Sequence, residues 1–296
     1  METPTGAADA GQGMMRRALC ALAFMTALAA CEPANDAQRL AVHWQACQGA
    51  GLPDARITAC SLVVDATNVT PGQKAQALVD RGMLRAQRSE DERAFADFGL
   101  ALFLDPQGAA AHIQRGLLHQ KRGAFAQAVV DFVAADKIDD ESGGANYLPS
   151  AMAAQATTYR MQITQLSRRI AANPNVAVNY NNRCWRRAVI GEDLESALAD
   201  CNRALELQPN DAEALDSRGL VNLKRGDYDA ALADYGAAVA LVPDRGHFIY
   251  GRGVAQYDLG MKDLAEADWR MADASEPGVA ALYESYGVRL GNDEGY

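Results

Sequence analysis

The chain has 296 residues, of which 49% are apolar and 22% are charged, a composition that excludes a disordered or low-complexity protein. Its formal net charge of -10 disfavours binding to nucleic acid, so the expected partner is a protein or a peptide. Alternation of apolar and polar residues, the mark of strands, does not extend over any useful length. We therefore expect an all-α mature protein.

The N-terminal segment has the layout of an export signal. Residues 14–30 carry Arg16 and Arg17 ahead of an apolar run that is too short to span a membrane, which is typical of a signal peptide. Because Met14 or Met15 would be a more usual start, we interpret residues 1–13 as a misassigned extension.

The apolar run ends in Leu-Ala-Ala-Cys31, which resembles the lipobox of bacterial lipoproteins, where the cysteine is lipidated. The resemblance implies a lipid bilayer as the anchor of Cys31, with residues 31–37 as a linker and the body in the periplasm. Glu32 after the cysteine favours the outer membrane of the bacterial cell envelope. The alternative is ordinary cleavage after Ala29, which leaves Cys31 as a free thiol.

The rest of the chain is repetitive, with a period of 34 residues within each half. One column is Arg followed by Gly, and a second is Asp followed by a large side chain. The first column comprises Arg81-Gly82, Arg115-Gly116, Arg218-Gly219 and Arg252-Gly253, with Arg183-Cys184 as a variant. The second comprises Asp97-Phe98, Asp131-Phe132, Asp200-Cys201, Asp234-Tyr235 and Asp268-Trp269. Where the two helices of a repeat cross, we expect the glycine of the first column to leave room for the aromatic ring of the second column.

This pattern resembles the tetratricopeptide repeat, whose signature places are filled here by Gly219, Ala231, Tyr235, Ala238 and Pro243. The resemblance implies a solenoid of antiparallel helix hairpins. The predicted divisions are an N-terminal hairpin over 38–66, two repeats over 73–140, a degenerate repeat over 141–174, three repeats over 175–277, and a capping helix with a tail over 278–296. The degenerate repeat keeps the length of a repeat without its marks, and one long helix is expected within it from Ala151 to Ala172. The alternative is a hinge or an insertion.

Residues equidistant from the turn of a helical hairpin face each other, and Gly226 lies midway between Arg218 and Asp234. Each Arg should therefore pair with the Asp of its own repeat. The expected pairs are Arg81 with Asp97, Arg115 with Asp131, Arg183 with Asp200, Arg218 with Asp234 and Arg252 with Asp268. The alternative is that the five Arg side chains form a ladder for an acidic ligand.

Four cysteines remain after removal of the signal peptide and lipidation of Cys31. Cys184 and Cys201 replace the glycine and the ring of one repeat, so they are expected to form a disulfide, and their midpoint at Glu192 predicts a turn beside Gly191. Cys47 and Cys60 flank a turn near Pro53 and should form a second. The alternative is four free thiols, and no residue at ligand spacing indicates a metal site.

In the family that the sequence resembles, the first helices of the repeats line a groove. The register then predicts a peptide-binding groove at Asn181, Trp185, Asp216, Leu220, Tyr250, Val254 and Tyr257. Trp185 and Tyr257 could instead pack between repeats. Catalytic motifs are missing from the sequence, so we expect no enzyme and no cofactor. These features predict a scaffold that binds an envelope protein or peptide, with an adaptor role in envelope biogenesis as one use. The alternative is a periplasmic sensor or carrier of small acidic ligands or peptidoglycan fragments.

Overall fold

The computed structural model of the protein describes residues 36–288. Within that range the regular structure consists of fourteen α-helices and one 3-10 turn at Asp140–Ser142, without any strand, which confirms the all-α prediction. The predicted signal peptide and the lipidation site Cys31 lie outside the described residues. Across the described range, the helices lack the combination of length and apolar character that a membrane span needs.

The chain divides into two compact units, one ending at Asn68 and one beginning at Val69. The first unit contains α1 (Asp36–Gln48) and α2 (Pro53–Asp65). The second contains α3 (Pro71–Gln87), α4 (Asp91–Leu104), α5 (Ala109–Lys121), α6 (Phe125–Ile138), α7 (Gly144–Ala172), α8 (Ala177–Ile190), α9 (Leu194–Leu207), α10 (Ala212–Arg225), α11 (Tyr228–Leu241), α12 (Gly246–Asp258), α13 (Lys262–Ser275) and α14 (Val279–Ser285).

The first unit is a helical hairpin closed by a disulfide. Pro53 occupies the first turn of α2, where its missing N–H costs no hydrogen bond. Cys47 and Cys60 are bonded to each other and fully buried, as the spacing predicted. The Nε of Arg56 donates a hydrogen bond of 3.0 Å to the backbone oxygen of Cys47, which fixes the end of α1 against α2.

In the second unit, each marked repeat is a hairpin of two helices, namely α3 with α4, α5 with α6, α8 with α9, α10 with α11, and α12 with α13. The recurring glycine lies beneath the recurring ring. A Cβ at Gly82 would lie 2.5 Å from Phe98, and one at Gly219 would lie 2.7 Å from Tyr235. Because atoms cannot approach so closely, only glycine lets the two helices pack at this distance.

The five predicted ion pairs are all formed. In each, the Nη2 of the Arg donates to the Oδ1 of the Asp of the same hairpin over 2.6 to 2.7 Å. The Asp side chains are buried, and that of Asp234 also accepts a hydrogen bond of 2.9 Å from Asn222. The Arg side chains are therefore engaged inside their hairpins, which is a correction to the alternative of a free arginine ladder.

The hairpin of α8 and α9 has a disulfide in place of the contact between glycine and ring. Cys184 and Cys201 are bonded and fully buried. The turn between the two helices contains Gly191 at φ +68, the left-handed conformation that ends helices and favours glycine. This is the turn that the midpoint of the two cysteines predicts.

The unmarked stretch 141–174 forms one long helix rather than a hairpin. We expected a helix from Ala151 to Ala172, but α7 begins at Gly144 and includes Pro149. Pro149 is the sixth residue of α7, close enough to its start that the missing N–H removes little of the helical ladder. The helix packs against α6 and α8, so it connects the repeats on either side.

The C-terminal segment, defined as residues 279–288, differs from the capping helix that was expected within 278–296. Its helix α14 ends at Ser285 and makes its most extensive contact with α6, and only smaller contacts with α12 and α13 of the last repeat. The Nζ of Lys137 on α6 lies 2.5 Å from the Oε1 of Glu284. The Tyr283 hydroxyl donates a hydrogen bond of 2.8 Å to the backbone oxygen of His247. The segment therefore bridges the last repeat and the middle of the second unit.

Candidate functional site

Three first helices, α8, α10 and α12, lie side by side and form what we call the first-helix face. A pocket of about 450 Å³ opens on this face. Its walls include Asn181 and Trp185 from α8, Asp216 from α10, His247 from α12, and Tyr286 from the C-terminal segment. The pocket therefore draws on three successive repeats and on the end of the described chain.

The predicted groove is only partly present as a surface. Asn181, Trp185 and Asp216 line the pocket together, as the register predicted. Leu220, Tyr250 and Val254 are instead buried, with 1%, 5% and 1% of their surfaces exposed, so they offer no free surface to a partner. Tyr257 packs its ring 5.5 Å from that of Trp269 on α13, so this contact lies inside its own hairpin and not between repeats.

The C-terminal segment explains why those three residues are buried. The ring of Tyr250 lies 4.9 Å from that of Tyr283, and Val254 belongs to the same apolar cluster. Tyr286 and Val288 pack against the cluster that contains Leu220. The prediction placed this segment beyond the last repeat, whereas the structure lays it on the first-helix face.

Trp185 has one ring neighbour from the C-terminal segment. Its ring meets that of Tyr286 edge to face at a centroid distance of 5.1 Å. Burial raises the pKa of the Tyr286 hydroxyl well above its ordinary value. The two rings form an aromatic wall beside a group of acidic side chains.

Four carboxylates surround the pocket, from Asp211, Glu213, Asp216 and Glu276. Asp216 is the deepest, with 3% of its surface exposed. Desolvation raises the pKa of Asp216 well above its ordinary value, and repulsion from Glu213 and Glu276 adds to the increase, while Arg245 opposes it. The pocket thus has an acidic character that disfavours anionic ligands.

Two of the four acids have an evident role in helix capping. The Oδ1 of Asp211 accepts hydrogen bonds of 3.1 and 3.3 Å from the backbone N–H groups of Glu213 and Ala214, at the start of α10. The Oε2 of Glu276 accepts one of 3.0 Å from the backbone N–H of His247, at the start of α12. Both groups stabilise the ends of the helices that carry the site.

Two other polar groups of the pocket have no such role. Within residues 36–288, no donor forms a hydrogen bond with the carboxylate of Asp216, although the residue is nearly fully buried. The Oδ1 of Asn181 is also buried and has no hydrogen-bond partner among those residues. A buried polar atom without a partner is costly, so the Asn181 oxygen beside the carboxylate of Asp216 indicates a position that a ligand can complete.

Comparison with known proteins identifies the repeat. The family model of the tetratricopeptide repeat matches residues 186–249, which include the end of α8, all of α9, α10 and α11, and the start of α12. Residues 186–249 therefore carry the tetratricopeptide repeat. No curated protein sequence matches the chain.

Several solved structures, two of them described as tetratricopeptide-repeat proteins, are similar to this chain at low identity. YrrB, described as having an unusual peptide-binding site, is 19% identical, with 72% of this chain and 92% of that chain covered and a TM-score of 0.34. TTC0263 from Thermus thermophilus is 19% identical, with 72% and 97% covered and a TM-score of 0.35. MamA from Desulfovibrio magneticus RS-1 is 17% identical, with 70% and 96% covered and a TM-score of 0.30.

Four residues line the pocket that the sequence did not predict, namely Glu213, His247, Glu276 and Tyr286. One signal could have indicated two of them. Glu213 and His247 each precede the repeat Arg by five residues, so they occupy the same place in successive tetratricopeptide repeats. The other two come from the end of α13 and from the C-terminal segment, which the repeat register does not place.

Proposed function

We propose that the protein is a non-enzymatic tetratricopeptide-repeat scaffold that binds a partner protein or an extended peptide at the first-helix face. The observation that supports this function is the pocket in which Asn181, Trp185 and Asp216 meet. It combines an aromatic wall with unpartnered polar groups, the mixture that protein and peptide interfaces use for affinity and specificity.

The proposed function includes a cellular location. We infer that Cys31 is lipidated, that the anchor holds the protein at the bacterial envelope, with the outer membrane favoured, and that the body works in the periplasm as an adaptor in envelope biogenesis. The disulfides at Cys47–Cys60 and Cys184–Cys201 support an oxidising compartment. A carrier of small acidic ligands is the less favoured alternative, because the repeat arginines are paired and the pocket is acidic.

Site-directed photo-crosslinking in cells tests the binding face. A photoreactive residue at Val178, which lines the pocket and is 55% exposed, is expected to capture one partner. The control position is Met271 on α13, which is also 55% exposed but belongs to a second helix. A Trp185→Ala substitution should abolish the Val178 crosslink. The same partner captured equally from both positions, or capture that ignores Trp185, would contradict the proposed face.

Membrane fractionation tests the anchor separately. The Cys31→Ala variant should move from the membrane fraction to the soluble fraction, and mass spectrometry of the N-terminal peptide should lose the acyl mass. An unmodified N-terminus in the natural protein would reject the lipid anchor without affecting the binding face.

A further inference from the structure

Asp216 occupies a place where the fold does not require an acid. Asp216 lies two residues before the repeat Arg, and the residues at that position in the first two repeats are Val79 and Ile113. Asp216 is 3% exposed and accepts no hydrogen bond within the described range. A buried carboxylate without a partner is unfavourable while it is charged, and either a proton or a bound cation removes that cost. A bound cation would give this acid a role that the fold itself does not.

Two further donor groups stand beside Asp216. Glu213 lies one turn earlier on the same face of α10, and His247 is the second residue of α12. One ligand atom from each of the three residues lies within 4.8 Å of the other two. Two carboxylates and an imidazole form a donor set that suits Zn²⁺ and related transition metals better than Ca²⁺ or Mg²⁺, which prefer oxygen alone.

The hydrogen bond of His247 to Glu276 engages one ring nitrogen and leaves the other free. The Nδ1 lies 3.0 Å from the Oε2 of Glu276. Because the carboxylate can only accept, the proton of a neutral ring is on Nδ1, and Nε2 keeps its lone pair. A carboxylate that orients the opposite nitrogen in this way is the usual partner of a metal-binding histidine.

Structural roles account for the neighbours of Asp216 but not for Asp216 itself. Glu276 caps α12, and Glu213 lies in the first turn of α10, where a negative charge is favourable. Glu213 also contacts Arg245 over 3.3 Å, but both side chains are about half exposed, so this contact exchanges readily. None of these contacts satisfies the Asp216 carboxylate.

We propose that Glu213, Asp216 and His247 bind one divalent transition metal ion such as Zn²⁺, with Glu276 as the residue that orients His247. Three protein ligands leave a coordination position open to the pocket of about 450 Å³. The site does not depend on the identity of a protein partner, because its ligands all belong to this chain.

Isothermal titration of the purified protein with ZnCl₂ tests the site. We expect one Zn²⁺ per chain, with affinity at least 10-fold weaker in Asp216→Asn and in His247→Ala. Glu276→Gln should weaken binding by about 10- to 100-fold while the stoichiometry stays the same. The matched control is Asp229→Asn, the same acid-to-amide change at an exposed position on α11, which should leave the affinity unchanged.

A spectroscopic measurement separates the proposed site from surface binding. Co²⁺ should give visible absorption bands in the natural protein that are absent from Asp216→Asn. Circular dichroism reports whether each variant is folded, and Asp216→Asn should fold because it removes a buried charge. Failure of the natural protein to bind Zn²⁺, or equal affinity in the Asp216→Asn and His247→Ala variants and the natural protein, would overturn the proposal.

Discussion

The contact between glycine and ring gives a prediction in which one chemical change has opposite effects at two sites. A Cβ at Gly219 would lie 2.7 to 2.9 Å from three ring atoms of Tyr235. The Tyr235 ring is fully buried, and its hydroxyl lies 3.2 Å from that of Tyr283, so the ring has little room to move. At Gly236, in the interior of α11, a Cβ would meet nothing within 4 Å.

Alanine gains about 1 kcal/mol of helix propensity over glycine at either position. Gly236→Ala should therefore raise the free energy of unfolding by about that amount. At Gly219 the steric overlap costs about 1 to 3 kcal/mol, and three contacts below 3.0 Å place this cost in the upper part of that range, above the gain. The difference between the two variants isolates the overlap, because the propensity term is common to both. Urea denaturation followed by circular dichroism gives both values. If Gly219→Ala is as stable as Gly236→Ala, the inferred role of the repeat glycines is wrong.

Three more variants probe the ion pairs, the disulfide and a buried lysine. Asp234→Ala removes the ion-pair partner of Arg218 and should lower the free energy of unfolding by about 3 kcal/mol in the same denaturation assay. The control is Glu206→Ala, which breaks an exposed pair with Arg203 and should leave the free energy of unfolding unchanged. Replacing both Cys184 and Cys201 with alanine should cost about 3 kcal/mol, because the bond closes a loop across 17 residues. Burial lowers the pKa of Lys224 to about 8, below its ordinary 10.5. The unfolded chain binds more protons between those values, so stability should rise as the pH increases from 8 toward 10, and Lys224→Met should flatten that slope.

The repeat hairpins could be predicted because their defining contacts are local. Arg218 and Asp234 lie 16 residues apart, and the glycine and ring beside them share the same turn. One register therefore accounts for the ion pair and the helix crossing together. The same register correctly paired Cys184 with Cys201, because they occupy the glycine and ring positions, which contact each other in the other repeats.

The pocket could be predicted only in part, because its contacts join distant parts of the chain. The register identified Asp216 as a groove residue, but its lack of a hydrogen-bond partner depends on three-dimensional surroundings that no column encodes. The position of Tyr283 and Tyr286 depends on how successive repeats stack. The start of α7 at Gly144 was also missed, because Pro149 is tolerated near the beginning of a helix.

The contact between α14 and α6 has a consequence for how the second unit melts. Solenoid arrays generally lose their terminal repeats first, since each repeat depends only on its immediate neighbours. Here Glu284 forms an ion pair with Lys137, and the Tyr283 hydroxyl donates a hydrogen bond to that of Tyr235, so the last helix contacts residues far earlier in the sequence. Unfolding from the C-terminal end must break these contacts before the last repeat can unfold. We expect thermal unfolding of residues 69–288 to be a single cooperative event rather than a stepwise loss of hairpins.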